Sequence, residues 1–240
     1  MNTTIVSAFM TQVNKHRNTD LYIEYGTHLL RIHVPKVIFI EKEVYDIYFS
    51  LSSFPLTEFI LFEKRENYLY DHTSVIESFK VNTDNANKDT LDYMCIQCHK
   101  TEWVKKAIEQ NLFGTDQFIW MDFGIYHMIK DDALFQKYVM QMTMQTYTKI
   151  RIPSCWNPDI SRHTDIYSNI AWFFAGSLFG GDQESLLVFA DKMREKCVEL
   201  IEQKKHLMWE INVWYLIYQK IPSLFSYYDC RHNTTILLNY

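Results

Sequence analysis

Residues 3–10 read TTIVSAFM and residues 36–40 read KVIFI, with the polar stretch Gln12 to Asn18 and a periodic segment, Asp20 to His33, between them. The first run is short, apolar and β-branched, which reads as a strand, and the polar stretch reads as a loop. Leu21, Tyr25, Leu29 and Ile32 recur at helical spacing, with Asp20 as the candidate N-cap. KVIFI is entered through Pro35 and has the unbroken apolar character of a strand covered on both faces. The unit is β-α-β.

The same order repeats downstream. Glu41 to Ser50 reads as a helix and Glu58 to Phe62 (EFILF) as a strand. Thr90 to Asn111 reads as one long amphipathic helix, opened by the Asn and Asp residues of VNTDNANKDT. Gln117 to Met121 (QFIWM) is a further strand, ending at Asp122-Phe123-Gly124. Strands alternating with helices predict an α/β fold, a single domain over residues 1–240 with a mainly parallel central sheet and helices on both faces. The last third is less regular. Asp131 to Thr148 reads as helical, Lys149 to Pro153 as a short strand and Ser154 to Ser168 as loop. Gly180-Gly181-Asp182 then precedes a helix whose Leu186, Ala190, Met193, Cys197 and Leu200 share one stripe, and Leu207 to Lys220 forms another helix stopped by Pro222.

Composition narrows the function classes. Hydrophobic residues make up 48% of the 240 and charged residues 22%, which excludes disordered and collagen-like chains. A net charge of -5 provides no basic footprint for a phosphate backbone, so no nucleic-acid partner is expected. The first residues show no basic region ahead of an apolar stretch, and no apolar run approaches the ~18 residues of a span. With five irregularly spaced cysteines, a cytoplasmic, reducing compartment without a transmembrane segment is the expectation. The abundance of Lys, Asn, Ile and Tyr suggests an AT-rich genome, of which a virus is one source.

Four segments are candidates for chemistry. In Trp120-Met121-Asp122-Phe123-Gly124, a carboxylate at a strand's carboxyl end beside a glycine suits a metal-diphosphate site, since Mg²⁺ and Mn²⁺ favour carboxylate oxygen and keep substrate phosphates as ligands. The same pattern is also an ordinary Asp-x-Gly turn. In AGSLFGGDQES, Ala175 to Ser185, the paired glycines allow close approach of a sugar or phosphate, and Asp182 or Glu184 is a candidate base; alternatively Asp182 only caps the helix and the glycines make a turn. Glu210 interrupts an apolar stretch between Trp209 and Trp214, where a partly buried carboxylate with a raised pKa suits a general base, or where a first-turn glutamate suits the helix dipole. Near the end, YYDCRHN carries Asp229, Arg231 and His232; the histidine is a candidate to complete a metal site begun by Asp122, or part of a solvated tail.

Cys95-Ile-Gln-Cys98-His99 matches the pattern of covalent haem attachment and overlaps a redox C-x-x-C. Haem attachment of that kind needs export, for which no signal is seen, and the pair lies within a helical pattern where both thiols fit as small core residues. No second C-x-x-C follows at zinc-finger spacing.

Taken together, TTIVSAFM, YIEYGTHLLRIHVPKVIFIE, DTLDYMCIQCHKTEWVKKAI, FIWMDFGIYHMI, KIRIPSCWNPD, WFFAGSLFGGDQESLLVFADKM and WEINVWYLIYQKIPSLFSYY make the chain resemble the HtrL/YibB family over nearly its whole length. The resemblance implies a GT-A-like, Rossmann-like fold and a glycosyltransferase of surface-polysaccharide biosynthesis. It would use a nucleoside diphosphate sugar, such as a UDP-sugar, as donor and a glycan or other hydroxyl as acceptor. By that analogy Ser7, Phe9 and Arg17 face the nucleotide, Lys100 approaches the phosphates, Trp120 lies at the donor, and Asp122 takes the acidic position of a Mn²⁺ or Mg²⁺ site with His232. Gly180, Gly181, Asp182 and Glu210 then surround donor sugar and acceptor. The usual Asp-x-Asp is Asp-x-Gly here, with Gly124 in the third place. That departure also admits a noncatalytic nucleotide-binding module that kept the fold.

Overall fold

The computed structural model describes residues 2–11, 18–160 and 162–240. Seven strands form one sheet: β1 (Thr3–Phe9), β2 (Lys36–Ile40), β3 (Thr57–Leu61), β4 (Gln117–Met121), β5 (Ile150–Ser154), β6 (Leu178–Asp182) and β7 (Phe225–Asp229). Their order across the sheet is β3-β2-β1-β4-β6-β5-β7. The β1·β2, β2·β3, β1·β4 and β5·β7 pairs are parallel, whereas β6 runs antiparallel to both its neighbours, β4 and β5. The sheet is therefore mainly parallel, as the alternating pattern predicts.

Alternation along each central strand builds two cores. Val6, Val37, Phe39, Phe118 and Trp120 point into a cluster shared with α3 (Leu91–Cys98), α4 (Lys100–Gln110), α6 (Gln183–Lys204) and α7 (Glu210–Lys220). Their neighbours Ile5, Ile38, Ile119 and Met121 point to the opposite face. There they meet α1 (Thr19–Leu30), α2 (Lys42–Tyr48), α5 (Asp132–Met142) and the short α8 (Thr235–Leu238). Helices thus cover both faces, and none among the described residues is long and apolar enough to cross a membrane.

Several local expectations change. Asn18, not Asp20, caps α1, accepting from Leu21 N at 3.1 Å, which leaves Asp20 in the first turn where its charge suits the helix dipole. The helix expected from Thr90 to Asn111 is two helices broken at His99. That imidazole is wedged among Phe62, Tyr68 and Trp103, and burial pushes its pKa down to about 3, so it is neutral. Cys95 and Cys98 are fully buried free thiols, with burial raising the pKa of each; they are core residues. Gly180-Gly181-Asp182, read as a turn, belongs to β6, and part of the expected polar tail is the edge strand β7.

Lys36 makes an unusual strand residue. Its side chain is buried, and Nζ donates to the carbonyls of Ile32 (2.5 Å), Val34 (2.8 Å) and Pro55 (3.0 Å). Burial lowers its pKa from 10.5 to about 7. Between those two values the unfolded chain holds more protons on Lys36 than the folded one, so the stability contributed here rises with pH across that window. In urea unfolding at pH 7 and pH 9, Lys36→Met is expected to lack the gain shown by the wild type; identical pH dependence in both proteins would contradict it.

Candidate functional site

β1 and β4 lie side by side, yet the sheet is built outward from them in opposite directions, through β2 and β3 on one side and β6, β5 and β7 on the other. Their carboxyl ends therefore open a crevice at the topological switch point, where ligands of such sheets bind. A cleft of about 240 Å³ occupies it, bounded by Phe9 at the end of β1, Asp122 and Gly124 after β4, and Gly176 and Ser177 before β6.

The floor of the cleft is polar. Trp120 and Asp122 are two residues apart on an extended segment and share a face, so the indole Nε1 donates to Asp122 Oδ1 at 2.9 Å. Trp120 is held in turn by stacking on Trp103, with centroids 5.7 Å apart and planes 8° from parallel. Lys100, the first residue of α4, directs Nζ at three oxygens: Asp122 Oδ1 (3.0 Å), Glu210 Oε1 (3.0 Å) and the Gly176 carbonyl (2.8 Å). Burial by itself lowers the lysine's pKa, but the two carboxylates outweigh it and leave the pKa above the ordinary value, so Lys100 is an ammonium. The side chains of Lys100 and Glu210 are 4% and 7% exposed and that of Asp122 is 39% exposed, which makes Asp122 the carboxylate a ligand reaches.

Gly176 has a packing reason to be glycine. A Cβ there would overlap Glu210 Oε1 and press on Ile211. Gly176→Ala is expected to displace Glu210 from Lys100 and to destabilise the fold by about 1–3 kcal/mol. Thermal unfolding reads this directly, and an unchanged midpoint would argue against the packing described.

The walls carry rings and two histidines. Phe9 stacks on Tyr22 (6.3 Å, 8°) and on Phe123 (5.2 Å, 27°), and Tyr22 fits over Gly124, where a Cβ would meet its ring at 2.7 Å. His127 is tied through Nδ1 to the Gly124 carbonyl at 2.7 Å. His232 stands edge-on to Trp172 at 4.9 Å; partial burial and then the neighbouring His127 lower its pKa, against the opposing pull of Asp122. Ser177 also lines the cleft, and its Oγ is buried without a hydrogen-bond partner among the described residues.

Of the residues singled out from sequence, Phe9, Lys100, Trp120, Asp122, Glu210 and His232 all line this cleft. Ser7 does not: it is fully buried inside the sheet, where Oγ donates to Met121 O at 2.6 Å and ties β1 to β4. Arg17 lies outside the described residues. Gly180, Gly181 and Asp182 also fall elsewhere, because β6 is antiparallel. The chain leaves the cleft at Ser177 and reaches the far end of the sheet by Asp182, which pairs with Gln117 at the start of β4. Asp182 caps α6, accepting from Ser185 N at 2.8 Å, so its role is the capping one. The two glycines meet packing needs: a Cβ would press on the Phe118 carbonyl at Gly180 and on the Lys149 carbonyl at Gly181, 2.8 and 2.9 Å away.

The expected Mn²⁺ or Mg²⁺ site is not preformed. Among the described residues no three His, Cys, Asp or Glu side chains converge to hold an ion. Asp122 Oδ1 is already engaged by Lys100 and Trp120, and the lysine ammonium lies between Asp122 and Glu210.

Sequence reading missed Gly176, Ser177, His127, Tyr22 and Trp172. The first two sit in AGSLFGGD, where the paired glycines drew the reading four residues too far along; LFGGD as a strand would have moved it back.

Sheet order, strand directions and the switch-point cleft define an α/β, Rossmann-like protein with a mainly parallel sheet covered by helices on both faces, as expected above. No family model matches the chain, and no curated protein matches it. Solved structures similar to it include a 4-diphosphocytidyl-2C-methyl-D-erythritol synthase from Anaerococcus prevotii, at TM-score 0.47 and 8% identity over 96% of this chain and 87% of that one. Mouse xyloside xylosyltransferase 1 in its apo form is similar at TM-score 0.47 and 13% identity, over 95% and 85% of the two chains. A glycosyltransferase involved in glycosylation of the major capsid of PBCV-1 is similar at TM-score 0.45 and 12% identity, over 95% and 81%.

Proposed function

We propose that the chain is a glycosyltransferase that moves a sugar from a nucleoside diphosphate sugar to a hydroxyl of a glycan or other acceptor, as the HtrL/YibB resemblance implies. The observation that carries this reading is the cluster of Lys100, Asp122 and Glu210 at the carboxyl ends of β1 and β4, inside a cleft with aromatic walls. Phe9 and Tyr22 offer an apolar flank for the base, and the small residues Gly124, Gly176 and Ser177 leave room for backbone approach to the diphosphate. Asp122 orients the donor, Trp120 and Lys100 fix Asp122, and Glu210 faces the acceptor side beside Trp209. Of this cluster only the Lys100 ammonium can meet negative charge developing on the leaving diphosphate, and the two carboxylates hold it in place before substrate arrives.

The three ionised groups sum to -1, from one lysine against two carboxylates. A diphosphate entering here needs further positive charge, which Lys88, another residue lining the cleft, provides in part. A second reading, a nucleotide-binding module without turnover, is favoured by one feature: the candidate base Glu210 is buried and already bound to Lys100.

The deciding experiment is a thermal-shift panel of nucleoside diphosphates and their sugars, with and without Mn²⁺, followed by donor hydrolysis on whatever binds. Binding with hydrolysis supports the transferase, and binding without it supports the module. No shift with any member of the panel overturns both.

A further inference from the structure

Outside the cleft cluster, the chain brings together two thiols that are 75 positions apart. β5 and β7 pair in parallel up to Ser154↔Asp229, and the next residue on each side is a cysteine. Cys155 Sγ and Cys230 Sγ lie 3.5 Å apart, and Cys230 N donates to Ser154 O at 2.9 Å, which fixes the two backbones side by side. Closing this gap to a disulfide takes a movement of about 1.5 Å, within reach of side-chain rotation. The remaining thiols, Cys95, Cys98 and Cys197, are buried in the helical core, while Cys155 is half-buried and reachable from solvent.

We propose that Cys155 and Cys230 form a modification site, a dithiol that a low-molecular-weight disulfide oxidant converts to an intramolecular disulfide fastening the carboxyl ends of β5 and β7. Cys155 is the attacking group. It is the half-buried thiol of the pair and the one a solution oxidant reaches, whereas Cys230 is buried behind it. The Cys155 thiolate attacks one sulfur of oxidised glutathione and expels the other as a glutathione thiolate. Cys230 then gives up its proton to solvent and attacks the Cys155 sulfur, releasing the second glutathione. Two protein thiols are oxidised and one glutathione disulfide is reduced to two thiols.

The position of the pair gives the bond a consequence. Cys230 is followed two residues later by His232, and Cys155 is followed by Trp156, whose N–H donates to the Trp172 carbonyl at 2.9 Å. His232 and Trp172 are both cleft-wall residues and touch each other. The disulfide therefore ties together the two segments that carry one wall of the cleft.

Incubating the native protein with oxidised glutathione, then counting thiols after denaturation and mapping peptides by mass spectrometry, tests the site. The expected result is a fall from five thiols to three, one cross-linked peptide joining Cys155 to Cys230, and no retained glutathione. Because the bond closes a loop of about 75 residues, the unfolding midpoint should rise by on the order of 5–10 °C and fall back after dithiothreitol. Cys230→Ser should instead retain one glutathione on Cys155. Glutathione held on Cys155 of the wild type without a cross-link, or all five thiols left free, would overturn the proposal. Neither outcome depends on whether the cleft transfers sugars.

Discussion

Lys100→Met is expected to destabilise the fold by about 3–5 kcal/mol, the cost of leaving a buried charge without its partner. Glu210 is 7% exposed and its Oε1 depends on Lys100, 3.0 Å away. The Gly176 carbonyl would lose its donor as well. Methionine fills similar volume, so the loss comes from electrostatics and hydrogen bonding and not from a cavity. Combining it with Glu210→Gln removes the stranded charge and should recover much of the loss. Urea unfolding of the single and double variants measures both; additive losses would show that the two residues are not coupled as described.

Asp122→Asn carries the largest expected effect on turnover, a fall of about 10²-fold in donor hydrolysis or sugar transfer, the cost of a misoriented donor. Asparagine keeps the shape, and its side-chain oxygen can still accept from Trp120 Nε1, so the fold should hold to within about 1 kcal/mol. What is lost is the charge on the group of the cluster most open to the cleft, with 39% exposure. Wild-type turnover in a well-folded Asp122→Asn protein would remove Asp122 from the mechanism, while retained nucleotide binding without turnover in the wild type itself would favour the binding module.

The two variants separate two jobs within one cluster. Lys100 and Glu210 lie deep enough that their exchange mainly alters stability, whereas Asp122 faces the cleft and its exchange mainly alters chemistry. Cleft and core meet at Trp120, which stacks on Trp103 on one side and donates to Asp122 on the other. Gly176 completes the arrangement by leaving space for Glu210 beside the lysine.

Strands buried on both faces were legible as continuous apolar runs: KVIFI and QFIWM both form strands at the expected residues. The Asp122 position was legible for the same reason, since a polar residue at the end of such a run marks the end of the buried strand. LFGGD was not, because two glycines in five residues carry no apolar alternation and read as a turn. His99 breaks its helix without proline or glycine, so no local signal marked it.

The sequence by itself determined most of the strands and helices other than β6, β7 and the break at His99, because continuous apolar runs and helical periodicity report burial directly. Only the tertiary structure decided that β6 runs backwards, which takes Gly180, Gly181 and Asp182 away from the cleft and puts Gly176 and Ser177 into it. It also decided that Lys100, Asp122 and Glu210 share one ammonium, an encounter of residues up to 110 positions apart. Periodicity carries no information about strand direction or about partners that distant; pairing across the sheet supplies both.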